Sequence, residues 1–291
     1  QGPGPVKASV QRLWQTPAQG GLPWPCLGIG TALPWACEPG HQAFAPYTPP
    51  ADGLYAIVPD TERLADALAV GLRCVQWRDK RELAALPAVQ REALLDEVLA
   101  LTRKDGTQVF VNDHGEALLD AIGRLGMVTC TGTGIGIGLH LGQEDLSTLP
   151  PAFLRRLRIA APRLMLGLSS HSLWELARAA GCGASYIACG PVHATTTKDM
   201  PWLPQGTDNL RWWVAHSPVP VVAIGGLLTP ADVAEAAACG PAAVCVVRGL
   251  GPTREAMRQA LPALQAATQA RAVPATSPMA LPHPVLPRPC T

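Results

Sequence analysis

The residues best suited to chemistry sit on one stretch, Gly190-Pro-Val-His-Ala-Thr-Thr-Thr-Lys-Asp-Met200. It follows the apolar run Tyr186–Cys189, which reads as a buried strand. A Gly-Pro turn, three hydroxyls and a lysine on one loop suit a phosphate or pyrophosphate, because hydroxyls, backbone amides and an ammonium all donate to anionic oxygens. A solvated Thr-rich loop would read the same way in isolation, so the other polar groups carry the decision.

Comparable groups close other apolar runs: Gln76-Trp-Arg-Asp-Lys80, Asn112-Asp113, Gln143-Glu-Asp145, Ser169, Gly225-Gly226 and Val247-Arg248. Arg78, Lys80 and Lys198 could hold a multiply charged anion, with Gln76 and Asn112 adding amide donors. Asp113 and Asp145 could share one Mg2+ with phosphate oxygens and water, or could be plain ion-pair partners of these cations. Gly225-Gly226 either lets backbone approach a phosphate closely or forms a simple tight turn. His114, His140, His171 and His193 fall nearby, but no spacing specifies a nucleophile–base pair, and each reads as structural or peripheral. The set describes two phosphate subsites, one with a metal, and no covalent nucleophile.

Positioning such a set requires a repeating scaffold. Strands are expected at Leu54–Val58, Cys74–Arg78, Gln108–Val111, Ile137–Leu141, Leu164–Leu168, Tyr186–Cys189, Val219–Ile224 and Ala242–Val247. Helices are expected at Thr61–Val70, Pro87–Arg103, Glu116–Arg124, Leu149–Leu157, Ser172–Ala180, Asp208–His216, Thr229–Ala238 and Pro252–Ala270, the last with a bend at Pro262. Thr61 and Thr229 are capping residues, and Gly106, Gly181 and Gly240 are stops. Eight strands alternating with eight helices predict an α/β fold, a (β/α)8 TIM barrel, whose active groups lie at the C-terminal ends of the strands. The polar groups above obey that rule on seven consecutive strands. A doubly wound sheet is the competitor, but Asp60-Thr-Glu after the first strand carries no glycine fingerprint.

Flanking segments differ in character. Residues 1–52 hold ten prolines and the tryptophans Trp14, Trp24 and Trp35, and read as an irregular extension partly ordered by those rings. The barrel spans 53–272, and 273–291 is a tail with six prolines, expected to be disordered. The chain has 291 residues, is 48% hydrophobic and 15% charged, and carries a net charge of +1, so a large core is affordable and nucleic-acid or electrostatic membrane partners are disfavoured. Nine cysteines form no CxxC pair or zinc spacing, which fits buried thiols in a reducing, cytoplasmic compartment. No stretch has a signal peptide's make-up, and Pro and Gly interrupt the longest uncharged runs. Small-molecule substrates are the expected partners, and a homo-oligomer is left open.

Taken in order, seven pieces resemble the thiamine-phosphate synthase family across about residues 53–270. They are Gly53-Leu-Tyr-Ala-Ile-Val-Pro-Asp60, Val75-Gln-Trp-Arg-Asp-Lys80, Val111-Asn-Asp113, Leu139-His-Leu-Gly-Gln-Glu-Asp145, Gly167-Leu-Ser169, Gly190–Lys198 and Val222-Ala-Ile-Gly-Gly226. The resemblance implies a TIM-barrel transferase of thiamine biosynthesis. Such an enzyme joins 4-amino-5-hydroxymethyl-2-methylpyrimidine diphosphate to a thiazole phosphate, or its carboxylated form, giving thiamine phosphate and pyrophosphate with Mg2+. By the same match Gln76, Arg78, Lys80, Asn112 and Lys198 bind the pyrimidine diphosphate. Asp113 and Asp145 ligate Mg2+, and Ser169 contacts the leaving pyrophosphate. Thr195, Thr197, Gly226 and the Val247-Arg248 backbone bind the thiazole phosphate. The resemblance implies Ser169, Lys198 and Arg78 as the residues of catalysis.

The chain departs from the family at Arg248, where Ser is usual, at Trp77, expected to point into the helix layer, and at His193-Ala194. About a dozen residues around Val128–Gly136 read as an insertion. A thiazole tautomerase paralogue is the nearest rival, and a non-catalytic phosphate-binding barrel is another. Retention of the diphosphate and metal residues favours the synthase.

Overall fold

The computed structural model describes residues 44–81, 83–101, 107–125, 136–146, 148–196, 202–269, 282, 283 and 285. Eight strands pair in parallel in chain order and close into a barrel. They are β1 Leu54–Val58, β2 Cys74–Trp77, β3 Gln108–Asn112, β4 Gly136–Leu141, β5 Met165–Ser170, β6 Tyr186–Cys189, β7 Val221–Ala223 and β8 Ala243–Val246. Pairing of Leu54 with Val244 and of Ala56 with Val246 makes the closing seam.

The helices are α1 Thr61–Ala69, α2 Ala88–Leu101, α3 Gly115–Leu125, α4 Gln143–Leu146, α5 Pro151–Ala160, α6 Leu173–Gly181, α7 Gly206–His216, α8 Pro230–Ala237 and α9 Arg254–Thr268. Every expected strand and helix is present, with ends moved by a few residues. The short α4 is additional: Gly142 and Asp145 close it locally. Capping follows the sequence at α8, where Thr229 and Asp232 form a reciprocal capping box. At α1 the cap is Asp60, whose side chain accepts from the Arg63 amide, rather than Thr61. No described helix is long and apolar enough to cross a membrane.

Strand alternation sorts side chains into two layers. On β2, Val75 and Trp77 join the larger core between strands and helices, while Cys74 belongs to the smaller cluster inside the barrel. Trp77 is fully buried in the outer layer, as its position implied. The interior cluster is built on Tyr55, Phe110 and Tyr186, with ring centroids 5.1 to 5.7 Å apart. Two neighbouring glycines make room for these rings. A Cβ on Gly138, paired with Phe110, would lie 2.2 Å from that ring. A Cβ on Gly167, paired with Tyr186, would lie 2.2 Å from the tyrosine ring.

The described end of the N-terminal extension stops the lower mouth of the barrel. Ala45 donates to the Ala161 and Leu164 carbonyls, each at 3.0 Å, and its own carbonyl accepts from Ser185 Oγ at 2.6 Å. Tyr47 then enters the interior cluster, 4.9 Å from the Tyr186 ring. Phe44 and Tyr47 therefore anchor this segment, while Trp14, Trp24 and Trp35 lie outside the described residues.

Candidate active site

The C-terminal ends of the strands enclose a cavity of about 160 Å3. Its wall includes Gln76 and Arg78 at β2, Asn112 and Asp113 at β3, Asp145 on α4 and Ser169 on β5. Thr195 after β6, Gly226 after β7, and Val247 and Arg248 after β8 complete the other side. Lys80 stands apart, on an adjoining open recess that also includes Arg78, Asp60 and Asp79. Thr197 and Lys198 lie outside the described residues, as does most of the stretch read as an insertion.

Local backbone explains how these side chains are aimed. The Arg78 amide donates to Val58 at 2.8 Å, extending the β1–β2 ladder by one residue and keeping Arg78 in the inward phase of Gln76. The next residue, Asp79, is buried and paired with Arg81, whose backbone amide also donates to it at 2.9 Å. Burial pushes the Asp79 carboxyl up, but the bonds from Arg81 outweigh it and hold it low. His114 Nε2 donates to the Asp79 carbonyl at 3.1 Å. Asp79 is thus a lock on the loop rather than part of the cavity wall.

Asp113 has a left-handed backbone, φ 66°, unusual for a residue with a side chain and costing about 1–3 kcal/mol. Its amide donates to the His140 carbonyl at 3.0 Å, so the strain is held by the β3–β4 pairing. Its carboxyl is raised, first by surrounding protein and then by Asp145, with Arg78 opposing. Asp145 Oδ2 accepts from the Gly142 amide at 2.8 Å, which fixes the second carboxylate against the first. Mutual repulsion of this kind is relieved by a cation between the two. Among the described residues no three His, Cys, Asp or Glu side chains form a metal cage. Two carboxylates completed by phosphate oxygens and water are nevertheless a usual form of Mg2+ site, so this donor set fits that ion.

Beneath the cavity runs a buried polar chain that the sequence reading missed. Gln76 Nε2 donates to the Tyr55 hydroxyl at 3.1 Å, and the Tyr55 and Tyr186 hydroxyls are 2.6 Å apart. Tyr186 meets His140 Nδ1 at 2.8 Å, and His140 Nε2 meets Ser169 Oγ at 2.8 Å. Gln76 Nε2 can only donate, and among the described hydrogen bonds the Tyr55 proton has Tyr186 as its acceptor. Tyr186 then donates to Nδ1, His140 carries its proton on Nε2, and Ser169 accepts that proton. The Ser169 hydroxyl hydrogen is left for the cavity. Burial, and then Arg78, push the His140 pKa down to about 3, so the imidazole stays neutral. The tyrosines are raised well above their ordinary value, chiefly by burial, and also stay neutral. The available signal was strand parity: Tyr55, Gln76, His140 and Tyr186 all occupy inward positions.

The opposite side is made of backbone. Gly225 and Gly226 have φ of 95° and 72°. A Cβ on Gly226 would lie 2.6 Å from the His193 carbonyl oxygen, so only glycine fits this turn. The Val192 amide donates to Ile224 at 2.8 Å and the His193 amide to Gly225 at 3.0 Å, lacing the β6 and β7 loops together beside Thr195. Arg248 opens a 3-10 turn, Arg248–Leu250, with its side chain exposed at the cavity.

Comparison with known proteins agrees with this geometry. Residues 54–250 match the family described as Thiamine monophosphate synthase. A thiamine-phosphate synthase of Neisseria meningitidis serogroup A is 38% identical over 174 residues, covering 60% of this chain and 74% of that protein. One from Serratia proteamaculans is 36% identical over 206 residues, covering 70% and 86%. The solved thiamine phosphate pyrophosphorylase of Pyrococcus furiosus superposes with a TM-score of 0.54 at 26% identity, covering 74% of this chain and 96% of that one. The chain belongs to the thiamine monophosphate synthase family and is an enzyme of the transferase class.

Proposed function

We propose that the cavity joins 4-amino-5-hydroxymethyl-2-methylpyrimidine diphosphate to 4-methyl-5-(2-phosphoethyl)thiazole, or to its carboxylated form with loss of the carboxylate as CO2, giving thiamine phosphate and pyrophosphate. The observation that supports this most is the division of one rim into two unlike halves. Gln76, Arg78, Asn112, Asp113, Asp145 and Ser169 present charge and side-chain donors. Thr195, Gly226, Val247 and Arg248 present a hydroxyl, close backbone and a guanidinium. The first half suits a diphosphate that must leave, the second a phosphate that only has to be held.

In this reading the bond between the pyrimidine methylene carbon and the diphosphate oxygen breaks first, and its electron pair leaves with pyrophosphate. Arg78 and the Ser169 hydroxyl donate to the departing oxygens, with Lys198 and Lys80 as further cations from outside the described wall. The thiazole nitrogen then attacks the pyrimidine-methyl cation, forming the new C–N bond. No enzyme nucleophile is needed, and the neutral His140 serves to hold Ser169. Mg2+ bound by Asp113 and Asp145 would supply further positive charge for the leaving group. Cys74, Cys189, Cys239 and Cys245 are buried thiols outside any disulfide, which supports a reducing compartment such as the cytoplasm.

The test is a coupling assay on purified protein, read as thiamine phosphate formed. Product that vanishes with EDTA and returns with Mg2+ is expected, and Asp113→Asn should weaken the Mg2+ dependence. Folded protein that binds thiazole phosphate yet forms no product would overturn this reading in favour of a tautomerase-like or binding-only barrel.

A further inference from the structure

The Pro-rich tail has no place in the barrel repeat, yet part of it is docked beside the active-site rim. His283 and Asn209 of α7 pair in both directions: the His283 amide donates to Asn209 Oδ1 at 2.9 Å, and Asn209 Nδ2 donates to the His283 carbonyl at 3.2 Å. The His283 ring donates through Nε2 to the Gln205 carbonyl at 2.8 Å. Two residues further on, the Val285 carbonyl accepts from the Leu203 amide at 2.7 Å, and the Val285 side chain is buried. The contact reads the tail backbone at His283 and Val285, adds the His283 ring and the buried Val285 side chain, and is demanding at Asn209.

Asn209 passes the contact inward. Its Nδ2 also donates to Gln205 Oε1 at 3.0 Å, and both amides are almost fully buried. Gln205 Nε2 then donates to the His171 carbonyl at 2.7 Å and approaches the Gly190 carbonyl at 3.4 Å. His171 and Gly190 both line the cavity. The Gln205 and Gly206 amides donate to Pro191 and Val192 at 2.7 and 2.9 Å, and Trp202 stacks on His171 with ring centroids 5.3 Å apart. The segment held by the tail is thus the returning end of the β6–α7 connection, joined to the departing end that leads to Thr195. Removing the tail would take partners from both polar ends of the buried Asn209 amide, a loss that disturbs such networks more than an exposed bond would.

We propose that the tail around His283–Val285 is a strap that positions the β6–α7 connection, acting through the buried Asn209–Gln205 amide pair on the Gly190 and His171 carbonyls. Asn209 and Gln205 are positioning residues that touch no substrate. The kinetic consequence rests on the function proposed above, whereas the structural consequence does not.

The test compares the full chain, a chain ending at residue 281, the full-length Asn209→Leu variant, and the two changes combined. Hydrogen exchange reads the structural claim. Amides of Leu203, Gln205 and Gly206 should exchange about tenfold faster in each variant, while the β1–β4 amides keep their protection. Steady-state kinetics read the second claim: KM should rise about three- to tenfold with kcat within about twofold, because the interaction orders the site rather than the transition state. The double variant should be no worse than Asn209→Leu alone, since both remove one linkage. Adding a peptide of residues 273–291 should restore protection to the shortened chain but not to Asn209→Leu. Unchanged exchange at Leu203–Gly206 in a folded variant would overturn the strap. If the shortened chain does not fold, the full-length Asn209→Leu comparison decides on the same readout. Altered exchange in a protein with no coupling activity would leave the strap standing and remove the functional reading instead.

Discussion

The two halves of the cavity rim reach similar ends by different means. From β2 to β5 the groups are side chains, aimed by strand parity and steadied from below by the chain Gln76–Tyr55–Tyr186–His140–Ser169. From β6 to β8 the wall is mostly backbone, shaped by left-handed glycines and by loops bonded to one another. Under the proposed reaction the first design would concentrate charge where charge develops, and the second would grip a group whose charge does not change. A mutation in one half should therefore damage turnover, and in the other binding and local folding.

The largest effect is expected at Arg78→Ala. It removes a cation from the half proposed to hold the diphosphate, and loss of one such donor costs about 10²–10³ in kcat. Binding of thiazole phosphate, measured by calorimetry, should barely change, and equal losses in both would erase the distinction between the halves.

Gly226→Ala breaks the other half. The added Cβ meets His193 backbone at 2.6 Å in a turn with φ of 72°, so loop geometry must shift. A stability loss of about 1–3 kcal/mol is expected from thermal melts, with thiazole-phosphate affinity falling more than kcat.

Tyr186→Phe sharpens the comparison within the first half. It removes the hydroxyl between Tyr55 and His140 and leaves a buried imidazole nitrogen without its donor, at about 1–3 kcal/mol. The tautomer of His140 is then no longer fixed, so kcat should fall about tenfold while KM is nearly kept. A matching rise in KM would show that the tyrosine shapes binding instead.

The effect of His140 is confined to acid pH and is absent near neutrality. His140 has a folded pKa of about 3, below the roughly 6.5 of an unfolded histidine. Above pH ~6.5 both states are neutral and the full stability is present. As pH falls from about 6.5 towards 3 the unfolded state binds the extra proton, so stability declines by up to about 1.4 kcal/mol per unit. His140→Gln should reduce that slope in urea titrations at successive pH values. An unchanged slope would mean that the imidazole is not held neutral.

Periodicity and punctuation decided a good deal in advance. Short apolar runs separated by amphipathic segments specify parallel strands covered by helices, and eight of them close a barrel. That architecture puts Gln76, Arg78, Asn112, Asp113, Ser169 and Gly226 on one rim before any contact is known. Local chemistry also sets caps such as Thr229 with Asp232, because every partner is within four residues. Tertiary structure decided what depends on distant partners. Tyr55 and Tyr186 are 131 residues apart, and each looks like an ordinary core aromatic until the barrel brings their hydroxyls together. Lys80 follows Arg78 by two residues, yet the chain leaves the ladder between them at Asp79, and Lys80 turns to the adjoining recess. The tail could be judged by composition alone as a segment without a core of its own. Its partner is a buried asparagine 74 residues away, a contact between backbone and amide that leaves no hydrophobic pattern in the sequence.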